Sequence, residues 1–262
     1  MRGTLGVSIV IPTLNEVGAL PSLINALDRM LSANRDLNVT ELVFVDDGSF
    51  DGTLNFISSL RQKATGYSVV VLSRTGVGGS GSAELEGIQK ASNELVLKMD
   101  GDGQHSVDFV PALMREVTDD VSIVIASRYM RDSENRWPPI RGLISRVATS
   151  AAHVFVPESR RIRDPLSGFY IVRRQLAEHL DPQRCRYKAV LCMIAGNVAV
   201  QFREVPFVML DRKVGKSKIV GTSLDYIVNF SIELLRYSKM AANRRHSRAP
   251  TSRPVSTAEK LG

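Results

Sequence analysis

The chain has 262 residues, 44% of them hydrophobic, enough for one large α/β domain. It contains no uncharged apolar run of the roughly 18 residues that a transmembrane helix needs, and its start is a short strand rather than a signal peptide. The net charge is +7, and six basic residues with no acidic one lie between Arg236 and Arg253, so the basic end points to an anionic partner or a solubilising tail.

In chain order, Val7–Ile11 reads as a buried strand, and Ala19–Leu31 as a helix with Leu20, Leu23, Ile24, Leu27 and Leu31 on one face. Glu41–Val45 is the next strand and stops at Asp46-Asp47-Gly48-Ser49; a helix follows from about Asp51 to Arg61. Ser68–Leu72 is a third strand, ahead of a glycine-rich loop and a helix from about Ser82 to Ala91. Glu94–Met99 is a fourth strand, Val107–Val117 a short helix and Val121–Ala126 a fifth strand. Beyond Ala126 the rhythm breaks: Arg141–Phe155 looks helical, Arg160–Pro165 is a loop, Arg203–Leu210 a strand, and Ser223–Met240 a long helix. The two cysteines, Cys185 and Cys192, suggest neither a disulfide framework nor a metal site, and a cytosolic setting fits. This alternation predicts a mostly parallel sheet covered on both faces, with polar clusters after the strands, where an open α/β sheet forms its ligand crevice.

Asp100 and Asp102 follow the fourth strand. Carboxylates at this spacing suit a hard cation such as Mg²⁺ or Mn²⁺, which takes one or two of them and completes its shell with substrate phosphates; they equally suit a capped loop. Gln104 and His105 lie within reach. Asp46 and Asp47 offer carboxylates to hydroxyl groups, while Asp51 reads as the N-cap of the next helix. The stretch Thr75–Ala83 is neither a Walker loop nor a dinucleotide fingerprint; its small residues let a helix N-terminus approach a ligand. Arg128, Arg141, Arg163, Arg212, Lys216 and Lys218 fall in polar segments suited to phosphate. With four histidines, no Walker lysine and no His-Arg-Asp motif, kinase, P-loop and His-rich hydrolase chemistry lack support, and nucleotide-sugar chemistry fits better.

Six motifs stand in order: IPTLNE (Ile11–Glu16), VDDGSFDGT (Val45–Thr53), MDGDGQH (Met99–His105), ASRY (Ala126–Tyr129), RDPLSGFY (Arg163–Tyr170) and VPF (Val205–Phe207) followed by DRKVGKSK (Asp211–Lys218). In these the chain resembles the family 2 glycosyltransferases, and among them the polyprenol (dolichol) phosphate mannosyltransferases, from about Val7 to Gly221. The resemblance implies a single A-type glycosyltransferase fold, Rossmann-like, over residues 1–221, then an amphipathic helix over 222–243 and a basic tail, read as disordered, over 244–262. It implies that Pro12, Asn15, Glu16 and Asp46 hold the base and ribose, with Asp47 and Gly48 near the donor. Asp100, Asp102 and Gln104 would bind Mg²⁺ or Mn²⁺ and the donor diphosphate. Ser127, Arg128, Arg141 and Ser145 would meet an acceptor phosphate. Asp164, Ser167 and Gly168 would line the sugar region, and Arg212 and Lys218 would close over phosphate. Asp100, Asp102, Arg128 and Arg141 would carry catalysis. The family's common Asp-Ala-Asp here reads Asp-Gly-Asp.

The implied reaction is inverting transfer of a hexose, mannose from GDP-mannose first, to a dolichyl or polyprenyl monophosphate. Alternatives are UDP-glucose as donor or a glycan as acceptor; a glycan acceptor would want a general base and aromatic platforms, and aromatics are 6% of the chain. The implied setting is peripheral, on the cytoplasmic face of a membrane, met through a surface or a membrane partner subunit. The long C-terminal helix, or an apolar segment in Arg141–Phe155, is the candidate contact. A non-catalytic sugar-nucleotide or lipid-binding subunit is the other class of reading, against which the intact Asp-x-Asp pair stands. No module for nucleic acid is present.

Overall fold

The computed structural model describes residues 5–64, 66–75, 79–135, 139–197, 199–211 and 224–246. Strands β1 (Val7–Thr13), β2 (Val39–Asp46), β3 (Ser68–Ser73), β4 (Leu95–Lys98), β5 (Ile123–Ser127), β7 (Tyr170–Arg173) and β8 (Phe202–Pro206) form one seven-stranded sheet in the order β3-β2-β1-β4-β7-β5-β8. All neighbours are parallel except β7, which runs antiparallel between β4 and β5. This is the mostly parallel, two-faced α/β sheet expected of an A-type glycosyltransferase-like fold. A small second sheet pairs β6 (Glu134–Asn135) with β9 (Val208–Met209).

Alternate residues of each strand feed opposite cores, as the period of two demands. Ile9, Ile11, Leu42, Phe44 and Leu97 point toward α1 (Leu20–Ala33), α2 (Thr53–Lys63) and α4 (Val110–Arg115), and pack on Leu20, Leu23, Leu27, Ile57 and Leu113. Val10, Val43, Val45 and Val96 face α3 (Ser80–Lys90), α5 (Pro139–Phe155), α6 (Ala189–Gly196) and α7 (Leu224–His246). Phe230, Leu234, Tyr237 and Ala241 of α7 belong to that second core, so this helix is packed on the α/β body.

Several boundaries differ from those read in the sequence. The helix expected over Val107–Val117 is a 3-10 turn, Val107–Phe109, followed by the short α4. The expected Arg203–Leu210 strand divides at Phe207, giving β8 to the large sheet and β9 to the small one. In the large sheet and its covering helices, two elements were absent from the sequence reading. β7 has four residues, too few to show a period. In α6 every residue from Ala189 to Gly196 is buried, so no amphipathic stripe marks it. The two cysteines also need correction: Cys185 and Cys192 are joined, with Cα atoms 5.7 Å apart, because the loop entering α6 folds back over the helix's first turn.

Candidate active site

The C-terminal ends of β1, β2, β4 and β5 open on one edge. Because β7 is antiparallel, with Lys98 opposite Tyr170, the loop preceding it reaches the same edge.

The first two loops interlock. Asp46 is fully buried: its Oδ1 accepts the Gly48 and Ser49 amides at 3.1 and 2.8 Å, and its Oδ2 accepts the Thr13 and Ser49 hydroxyls at 3.1 and 2.5 Å. Asp46 thus builds the loop that base and ribose are expected to meet. Gly48, at φ 88°, makes the turn in a region other residues rarely adopt. Asn15 bridges the loops, its amide donating to Ser49 Oγ at 2.8 Å and its Oδ1 accepting the Phe50 amide at 2.9 Å. The Glu16 amide donates to Thr53 Oγ1 at 2.9 Å, and Pro12 lies half-buried at the end of β1. Asp51, expected at the N-cap, stands one residue earlier; Gly52 is the cap, and Asp51 accepts from Thr53 and from the Val17 amide. Asp47 points to the edge and pairs with Arg74 at 3.2 Å. Burial pushes its carboxyl up, with Arg74 opposing.

The third loop carries the two aspartates. Asp100 Oδ1 accepts from Lys98 Nζ at 2.5 Å, and its Oδ2 lies 3.6 Å from His105 Nε2. The Asp100 amide donates to His105 Nδ1 at 2.9 Å, which makes Nε2 the protonated ring nitrogen. Burial pushes His105 down to about 4, and the ring stacks on Phe169 at 5.0 Å. Burial opposes the charge on Asp100, yet Lys98 and then His105 outweigh it and hold the carboxyl well below the usual range. Asp100 keeps 40% of its side chain accessible, so it is crowded by protein on one side and open on the other. Asp102 Oδ1 accepts the Gln104 amide at 3.0 Å, and Gln104 exchanges bonds with the Leu210 backbone. Among the described residues no three His, Cys, Asp or Glu side chains converge to cage a metal. Two half-exposed carboxylates one residue apart instead fit a hard divalent ion that draws its other ligands from diphosphate and water.

On the opposite side, Arg128 is forked onto the fully buried Asp164, Nε to Oδ2 and Nη2 to Oδ1, each at 2.7 Å. Asp164 thus anchors Arg128 at the place where the sugar region is expected. Ser167 is likewise turned inward, donating to the Ala126 carbonyl at 2.7 Å. Ser127 Oγ is buried without a hydrogen-bond partner among the described residues. Arg141 is half-buried in the first turn of α5, and Ser145, one turn on, accepts from Tyr129 Oη at 2.6 Å. Gly168 faces the aspartate loop: a Cβ there would stand 3.1 Å from Lys98 Nζ and 3.6 Å from Asp100 Oδ2. Arg212 and Lys218 lie outside the described residues.

Four charged groups at this edge escaped the sequence reading. Lys98 is 1% exposed and is also held by Glu84 at 3.2 Å; its signal was a lysine inside the apolar run LVLKM. Glu84 sits on α3. Arg74 binds Asp47, Ser82 and Glu86. Lys188 precedes α6 within electrostatic range of Glu84, Arg128, Lys98 and Asp100, and burial pushes its ammonium down. Of the glycines at the start of α3, expected to admit a ligand, Gly79 and Gly81 instead admit the chain itself, while Gly76 and Gly78 lie outside the described residues. The Gly81 amide donates to the Arg186 carbonyl at 2.8 Å, and a Cβ on Gly81 would lie 2.6 Å from the Lys188 nitrogen.

The model of glycosyl transferase family 2 matches residues 8–180, most of the chain and all of the loops just described except that before α6. The chain belongs to this family. A dolichol-phosphate mannosyltransferase of Pyrococcus furiosus is 32% identical over 88% of this chain; the match spans 64% of that protein's length. A dolichol-phosphate mannosyltransferase of Saccharomyces cerevisiae is 30% identical over 82% of this chain and 81% of its own. The family 2 fold is also seen in glucosyl-3-phosphoglycerate synthase of Mycobacterium tuberculosis, solved with Mn²⁺, UDP and phosphoglyceric acid. It has TM-score 0.61 and 24% identity, covering 89% of this chain and 78% of that one. The same enzyme was solved with Mn²⁺, UDP-glucose and glycerol 3-phosphate, at TM-score 0.59 and 23% identity.

Proposed function

We propose that this edge transfers a hexosyl group from a nucleoside diphosphate hexose to a phosphate-bearing acceptor, with Mg²⁺ or Mn²⁺ as cofactor. The observation that carries the reading is the Asp100–Asp102 turn, lying between a donor-side carboxylate, Asp47, and an anchored cation, Arg128. Asp102 and Asp100, with Gln104 beside them, are the residues for the ion, which when bound neutralises the leaving diphosphate. Asp47, Asn15, Glu16 and the Gly48 turn are the residues for base and ribose. Arg128, held by Asp164, and Arg141 orient the acceptor phosphate and offset its repulsion by the donor. Where the acceptor phosphate is itself the nucleophile, as in a polyprenyl monophosphate, it is an anion near neutral pH and no general base is assigned to it. Attack at the anomeric carbon inverts it, and an α-linked donor gives a β-linked product.

Two substrate pairs follow. The names of the curated relatives support mannose from GDP-mannose passing to a dolichyl or polyprenyl phosphate. The ligands of the solved structures, UDP-glucose with Mn²⁺ and a small phosphorylated acid, favour UDP-glucose as donor and leave a glucosylated phosphate ester as product. With a lipid acceptor, the approach to a membrane is peripheral. Among the described residues no helix is long and apolar enough to cross one. The exposed Ile140, Leu143, Val147 and Val154 of α5 form the facing surface, and Val228, Ile232 and Leu235 of α7 a second.

The test supplies purified protein with each donor, each metal and either a short polyprenyl phosphate or 3-phosphoglycerate, with Asp102→Asn as control. Transfer to a phosphate acceptor that disappears in the variant is the expected result. Donor hydrolysis without transfer to either acceptor removes the phosphate-acceptor reading.

A further inference from the structure

Lys98 is a full ammonium set inside a strand whose neighbours Leu95, Val96, Leu97 and Met99 are all buried. Such a group persists only when paired. Glu84 clamps it from α3 at 3.2 Å, and Glu84 is itself held by the Tyr170 hydroxyl at 3.1 Å. A second N–H of the ammonium is spent on Asp100 Oδ1, at 2.5 Å. Asp100 Oδ2 lies 3.6 Å from His105 Nε2, beyond hydrogen-bond distance, so the ammonium holds one oxygen of the carboxylate while the side chain keeps its open side. Gly168 leaves no side chain to separate this pair from the loop before β7. Lys188 and Arg128 add positive potential from the other elements packed around the site.

A bare divalent cation entering here meets Asp102 together with a carboxylate already neutralised by an ammonium in contact with it. A nucleoside diphosphate entering here meets the positive potential of Lys188 and Arg128, with the buried Lys98 behind Asp100. We propose that Lys98 is an internal counter-cation that withholds Asp100 from a free divalent ion, so that the ion is taken up with the donor diphosphate and not ahead of it. This rests on the metal and nucleotide reading above and adds an order of assembly to it. Lys98 is a positioning residue: it acts through Asp100 and touches neither metal nor donor. The consequence is that uptake of ion and nucleotide is mutually reinforcing, because each removes the charge that repels the other.

Calorimetric titration tests this without turnover. Mn²⁺ is titrated alone, and again with saturating UDP or GDP, into the wild type, Lys98→Met/Glu84→Gln and Glu84→Gln, each checked for folding by circular dichroism. The double variant removes the Lys98–Glu84 pair together, so that no glutamate stays buried without its lysine and the charge uncovered is that of the half-exposed Asp100. Its affinity for Mn²⁺ alone rises about tenfold or more, the scale on which a contacting cation biases a carboxylate, and the enhancement by nucleotide shrinks to match. Glu84→Gln moves the other way: an ammonium released from Glu84 holds Asp100 harder, and affinity for Mn²⁺ alone falls. Unchanged or weaker binding of Mn²⁺ in the folded double variant overturns the proposal while leaving the functional reading intact. Failure of the wild type to bind Mn²⁺ and nucleotide in any combination overturns both.

Discussion

Arg128 and Asp164, 36 positions apart, meet through two parallel 2.7 Å contacts, and the Arg128 amide donates to the same carboxylate at 2.9 Å. Glu204 in turn accepts the Arg163 and Asp164 amides at 3.0 and 3.1 Å, fixing the loop from β8. Asp164→Ala removes the forked carboxylate from a mostly buried guanidinium. Loss of about 3–5 kcal/mol in urea unfolding is expected, with acceptor KM rising in whatever remains folded. Arg128→Lys keeps the charge but loses the fork, and should lower kcat with a smaller stability change. Equal stability of Asp164→Ala and wild type would falsify the anchoring role.

His105 titrates at about 4 in the metal-free fold, against an ordinary value near 6.5. The unfolded chain therefore takes up the proton first as pH falls. The stability due to neutral His105 is whole above about pH 6.5, declines between about 6.5 and 4, and is flat below; the total is on the order of 3 kcal/mol. His105→Asn, which keeps an acceptor for the Asp100 amide, should flatten that part of the profile. Nitrogen NMR should find the proton on Nε2 at pH 6.

Two glycine substitutions should separate close packing from backbone strain. Gly81→Ala drives a methyl into the backbone at Cys185–Lys188, where the nearest atoms would be 2.6 and 2.7 Å away. A loss of about 1–3 kcal/mol and weaker nucleotide binding are expected, because the displaced segment carries Lys188. Gly103→Ala meets nothing within 4 Å but must hold φ 77°, at a cost of about 1–2 kcal/mol. Thermal unfolding and nucleotide titration of the two variants give the comparison.

If the acceptor is a lipid, the α5 surface matters to it alone. Leu143→Glu/Val147→Glu should reduce co-sedimentation with anionic vesicles and transfer to a long-chain polyprenyl phosphate, while a water-soluble acceptor is used as before. Both positions are exposed, at 58% and 61%, so stability should change little. Undiminished vesicle binding would direct attention to Val228, Ile232 and Leu235 of α7.

Much of this fold could be read from the chain. Strands β1 to β5 announce themselves as short apolar runs ending in polar residues, because a parallel strand buried on both faces must be apolar and must stop where its loop reaches water. The same rule put Asp47, Asp100 and Arg128 after strand ends, and hence at one edge of the sheet. What the sequence by itself determined was therefore which residues terminate strands, and the kind of ligand such loops suit.

Only the tertiary structure decided how those groups are paired. The placement of β7 between β4 and β5 brings Asp164 and Gly168 to the site, and neither its four residues nor the uniformly buried α6 carries a period that predicts it. Asp46 and Asp47 are adjacent and alike in sequence, yet one is buried under four hydrogen bonds and the other faces Arg74 at the edge. Lys98 reads locally as an interruption of an apolar strand; packing of α3 against the sheet supplies Glu84, and the turn supplies Asp100. Side-chain period is a local property of the backbone. The partner of a buried charge is set by long-range contacts, which become defined when the sheet order closes.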